Sequence, residues 1–176
     1  MNGLHRRGLL KGAAATAGLT LAFGVPITAQ SMGVMLAGAI LGAKRGALAV
    51  LLFMALVALG LPLLAGGHGG LGTFVAPTSG FFLGWPVAAF VIGLIVERWQ
   101  SGPLGVTVTL ASVIGGILVM YGFGIVGMSI ALKKTLAECA MLVTAFLPGD
   151  LLKAVLTGAI TQALARSRPA SILSRH

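Results

Sequence analysis

The chain has 176 residues, 57% of them apolar and only 9% charged, with twelve Lys or Arg against three Asp or Glu. Its mean hydropathy is +1.05, and so little polar side chain cannot clothe a water-soluble globule, so an all-α integral membrane protein of one domain, 1–176, is expected. The net charge of +9 does not mark a nucleic-acid binder, because the basic residues form no patch interleaved with aromatics and membrane topology accounts for them.

A helix needs about 20 residues to cross a hydrocarbon layer of roughly 30 Å. The apolar runs predict six transmembrane helices, at about 8–24, 31–43, 46–64, 81–98, 104–126 and 150–166. The first is preceded by His5-Arg6-Arg7-Gly8-Leu9-Leu10-Lys11, which resembles a twin-arginine export signal. The span reading is preferred, because the small residues after it form no clear cleavage site and removing one span would upset the distribution of basic residues between the two sides of the membrane. The second run is short, so it must draw on flanking residues or sit tilted among its neighbours. Residues 133–147 read as an outer helix rather than a seventh span.

With the N-terminus in the cytoplasm, Arg6, Arg7, Lys11, Lys44, Arg45, Arg98, Arg166, Arg168 and Arg175 fall on the inner side. Lys133 and Lys134 fall outside, and Lys153 stays in the membrane. This bias supports an even number of spans and both termini in the cytoplasm; the expected location is the cell (inner) membrane. It also puts the loop 65–80 at the outer face. That loop contains Gly66-Gly67-His68-Gly69-Gly70, almost free of side chains and expected to lack regular structure, as a lid over a small ligand would. His68 is its one central polar side chain, and a solvent-facing histidine is the plainer reading.

The last span opens with Phe146-Leu147-Pro148-Gly149-Asp150, and Lys153 comes one turn later. Ionisable groups at membrane depth are costly and usually functional. Of the three carboxylates, Glu97, Glu138 and Asp150, only Asp150 is followed at helical spacing by a cation on the same face. The spacing predicts Asp150 near the helix N-cap, offering an acceptor beside a cation; the competing reading is an ordinary capping carboxylate. Phe81, Phe82 and Trp85 could cover a ring, or could simply pack or face lipid. Cys139 is the single cysteine and is assigned to packing. His5, His68 and His176 lie at no metal-ligand spacing, and neither a P-loop nor a hydrolase motif is present, so no metal, cofactor or enzymatic activity is expected.

Taken together, Val25-Pro26-Ile27-Thr28-Ala29-Gln30, Leu36-Ala37-Gly38, Lys44-Arg45-Gly46-Ala47-Leu48, Gly60-Leu61-Pro62, the glycine loop, Pro77-Thr78-Ser79-Gly80-Phe81 and Pro148-Gly149-Asp150-Leu151-Leu152-Lys153 resemble the BioY family, the biotin-specific S components of energy-coupling factor transporters. The resemblance runs from Val25 to about Ala165. It implies a six-helix subunit that captures biotin at the outer face and works with a transmembrane coupling subunit and ABC-type ATPases. It implies ligand roles for Asp150 and Lys153, with Phe81, Thr78, His68, Gly67, Gly69 and Gly70 around them. Phe81 stands where the family often has Tyr, which removes a hydroxyl. S components also carry an Ala-x3-Ala pattern on the first helix that packs on the coupling subunit, and Ala13 and Ala17 fit it. The alternatives are an S component for another vitamin and an accessory membrane subunit that binds nothing.

Overall fold

The chain reverses direction at Gly42, whose φ of 86° lies where only glycine is comfortable. In the computed structural model, which describes residues 29–175, this single residue joins α1 (Gln30–Leu41) to α2 (Ala43–Ala58). The Glu97 carboxylate accepts from the Ala43 N–H at 2.8 Å and so satisfies an otherwise orphaned donor at the start of α2. At its far end α2 stops sooner than the expected span 46–64, because Gly60 takes a φ of 98° and Pro62 offers no N–H to a helix. The expected first span, 8–24, with Ala13 and Ala17, lies outside the described residues.

Residues 59–78 form the long loop. It is not wholly irregular: Leu71–Phe74 makes a 3₁₀ turn, Leu64 and His68 form a bridge, and the Gly70 N–H donates to the Val57 carbonyl at 2.7 Å. α3 (Ser79–Arg98) then crosses the middle of the bundle and packs on α1, α2 and α4. Glycines permit these approaches. A Cβ on Gly38 would strike the Ala89 carbonyl, one on Gly93 the backbone of Gly42 and Ala43, and one on Gly80 the backbone of Phe123 and Gly127. Small residues are what let membrane helices come this close.

α4 is one continuous helix, Leu104–Leu132, with a π-helical stretch at Ile114–Val119. It ends at Lys133, which is left-handed with φ 54°. The short α5 (Leu136–Thr144) begins with a capping box between Thr135 and Glu138, matching the outer helix read from 133–147. Cys139 is a free thiol packed with Met128 and Val143. α6 (Leu147–Ser167) lies against α1 and the first half of α4. Its start corrects one expectation: the N-cap is Phe146 and Asp150 is already inside the first turn, because Pro148, with φ preset, is accepted at the opening of the helix. Asp150 is therefore free of capping duty. After α6 the chain turns under the bundle through two 3₁₀ turns, Pro169–Ser171 and Leu173–Arg175.

Among the described residues, Ser79–Arg98 and Leu104–Leu132 are long and apolar enough to cross a membrane alone, and α5 with α6, bent by 59°, makes a third such unit. α1, with 12 residues, spans about 18 Å and needs its flanks. The outer surface is rich in exposed apolar side chains, with Leu52, Leu118 and Ile130 63%, 64% and 76% exposed, as suits a hydrocarbon surround.

Candidate functional site

At the end of the bundle where α1, α3 and α6 begin, their first turns do not meet, and a cavity of about 170 Å³ remains. Gln30 and Ser31 reach it from α1, and Leu64, Thr73 and Thr78 from the loop. Phe81, Phe82 and Trp85 form the α3 wall, Met120 and Tyr121 the α4 wall, and Phe146, Asp150 and Lys153 complete it. A neighbouring cavity of about 310 Å³ is larger, but its walls of Val34, Ala37, Val50 and Phe53 carry no charge. Convergent polar groups in an apolar setting mark the first as the candidate site.

Its polar centre is the carboxylate of Asp150, whose side chain is 11% exposed. Lys153 Nζ lies 2.8 Å from Asp150 Oδ1 and donates also to Ser31 Oγ at 3.1 Å. Ser31 in turn donates to Asp150 Oδ1 at 3.3 Å, closing a triangle. Tyr121 donates its hydroxyl to Asp150 Oδ2 at 2.7 Å. A carboxylate this buried is tolerable only when paired and hydrogen-bonded, and here both conditions hold. Charge and hydroxyls therefore face a chamber whose remaining walls are mostly aromatic.

The aromatic wall is close-packed. Phe82 meets Trp85 edge-on with centroids 5.0 Å apart, and Phe74 from the loop meets Phe82 at 5.1 Å. Phe82 and Trp85 are buried, so of the readings open for them, the lipid-facing one is excluded. Phe81 stands edge-on to Tyr121 at 6.0 Å. Thr78, at the N-cap of α3, makes no side-chain capping bond, which leaves its hydroxyl at the cavity.

Of the residues singled out from sequence, Asp150, Lys153, Phe81 and Thr78 come together here. His68 is exposed and, like Gly67, Gly69 and Gly70, is not part of the cavity wall. The glycines instead shape the loop: Gly67 and Gly70 have φ of 74° and 84°, and a Cβ on Gly69 would strike the Leu61 carbonyl. Ser31 and Tyr121 escaped the sequence reading. Each is a lone hydroxyl in an apolar run, and the available signal was only that α1 and α4 must pack on the face bearing Asp150.

Comparison with known proteins gives concordant results. Residues 8–170 match the BioY family. A "Biotin transporter BioY" of Rhodobacter capsulatus is 51% identical, over 89% of this chain and 87% of its own. The protein of the same name from Rhizobium etli is 48% identical over 80% and 78%. In three dimensions the chain resembles the S-component for biotin from an ECF-type ABC transporter, with TM-score 0.81 and 28% identity, covering 98% of this chain and 99% of that one.

Proposed function

Because the chain belongs to the BioY family, we propose that it is the biotin-binding S component of an energy-coupling factor transporter, a membrane subunit and not an enzyme. The observation that carries this reading is the buried Asp150–Lys153 pair, 2.8 Å apart, opening into an aromatic chamber. Biotin has ureido N–H donors, a ureido carbonyl, a thioether ring and a carboxylate. Asp150 accepts from N–H, Lys153 donates to an oxygen, and Phe81, Phe82 and Trp85 cover the ring. Thr78 offers a further hydroxyl. The loop with Gly67, His68, Gly69 and Gly70 serves as the lid.

The charge bias read from sequence supports a cavity at the outer face, with both termini in the cytoplasm. The chain has no P-loop, so energised uptake draws on ATPase partners through a transmembrane coupling subunit. Ala13 and Ala17 are the proposed docking residues on that subunit. Calorimetric titration of the purified chain with biotin tests the assignment. Saturable heat with biotin and none with thiamine or riboflavin is expected. Heat with another vitamin instead would leave only the S-component reading, and heat with none would leave an accessory subunit. For docking, Ala17→Trp should abolish energised uptake with biotin binding intact.

A further inference from the structure

Tyr121 is aimed at Asp150 by several independent features of the fold. It lies just beyond the π-helical stretch Ile114–Val119, and each residue that such a wider turn inserts rotates the downstream side chains by about 100° relative to an unbroken α-helix. The turn is accommodated by Gly115 and Gly116, where a Cβ would strike Ile92 and Met35. Downstream, Gly124 admits the Phe81 ring, which a Cβ there would overlap, and Phe81 buttresses Tyr121 edge-on. The hydroxyl ends 2.7 Å from Asp150 Oδ2.

This aim decides which hydrogen-bonding sites stay open to a ligand. An ionised carboxylate has about four lone-pair sites and an ammonium three N–H donors. On Asp150, Lys153 and Ser31 take Oδ1 and Tyr121 takes one site of Oδ2. On Lys153, Asp150 and Ser31 take two donors. Among the described residues the pair is left with a single acceptor site, on Asp150 Oδ2, beside a single donor, on Lys153. One N–H next to one C=O is the edge of a cyclic urea or lactam.

Resting on the biotin assignment, we propose that Tyr121 is a specificity-determining positioning residue: by occupying one site of Asp150 Oδ2 it limits the pair to reading one N–H and one carbonyl, and so selects a ureido edge over ligands richer in donors. Tyr121 acts through Asp150. Removing its hydroxyl opens a second acceptor site on the carboxylate, so discrimination against extra donors relaxes as well as affinity falling.

The test compares biotin with the analogue whose ureido oxygen is replaced by an imino group, which gains N–H donors and loses the carbonyl. Both are titrated into the full chain and into Tyr121→Phe. The variant should bind biotin about tenfold more weakly, while the ratio of analogue to biotin dissociation constants narrows about fivefold. A purely structural role would weaken both ligands alike, and an unchanged ratio overturns the proposal, as does unchanged biotin affinity. Should Tyr121→Phe fail to fold, Tyr121→Met removes the same hydroxyl with a pliable side chain and is read by the same ratio. Absence of biotin binding by the unaltered chain would instead refute the assignment on which the proposal rests.

Discussion

At the loop end of the bundle four helices leave a space that side chains face from several directions, whereas at the tail end the chain folds back and closes the corresponding gap. The carboxylates at the two ends, Asp150 and Glu97, show the difference. Among the described residues the Asp150 carboxylate bonds only to side chains: Lys153, Ser31 and Tyr121. At the other end the polar side chains bond to backbone. Glu97 accepts from the Ala43 N–H, Ser174 donates to the Ala39 carbonyl and Arg175 to the Trp99 carbonyl at 3.3 Å, while Ile172 is 2% exposed. Side chains can leave hydrogen-bonding sites open beside the bonds they make, whereas the contacts at the tail end tie side chains to the main chain. One end keeps sites open and the other is closed.

That contrast breaks if mutations at the two ends affect the same property. Lys153→Ala and Asp150→Asn should each weaken biotin binding by roughly 2 to 5 kcal/mol, since each leaves buried polar groups of protein or ligand unpaired. Titration calorimetry reads this directly. An unaltered dissociation constant with a lowered melting temperature would mean that the pair is structural. Glu97→Ala, which strips the Ala43 N–H of its acceptor, should cost about 1 to 3 kcal/mol of stability and leave biotin affinity unchanged. A parallel loss of affinity would show that the two ends are coupled. The smallest effect is expected from Ser174→Ala, about 1 kcal/mol, seen as a slightly lower melting temperature in detergent with binding intact.

The Asp150–Lys153 pair was legible because charge is so scarce that two ionisable residues at one-turn spacing stand out, and the glycine loop because composition alone announces it. What spacing could not supply was direction. Pro148 moved the helix start three residues ahead of Asp150, from a cap position to an inward-facing one. Tyr121 follows a π-helical stretch, which leaves no trace in a pattern read at 100° per residue. Ser31 looked like any small polar residue at a span boundary. The tail from Pro169 to Arg175 lacks periodicity, so its role in closing the bundle rests on contacts that only the folded chain brings together. Early termination of α2 was the opposite case: Gly60 and Pro62 were visible, but the apolar run continued through them.

The backbone contact of Gly80 with Gly127 carries a kinetic consequence. A Cβ on either glycine would strike the other's main chain, so α3 and α4 touch there with no room for an acyl chain or a water file between them. On that flank the chamber cannot fill sideways from the bilayer, and the loop at the chamber's end is pinned by the Gly70 N–H on the Val57 carbonyl. With that loop acting as the proposed lid, association is expected to be gated, its rate reporting how often the pin opens rather than how often a ligand collides with the protein. Solvent viscosity should leave such a rate nearly unmoved, while temperature should change it steeply.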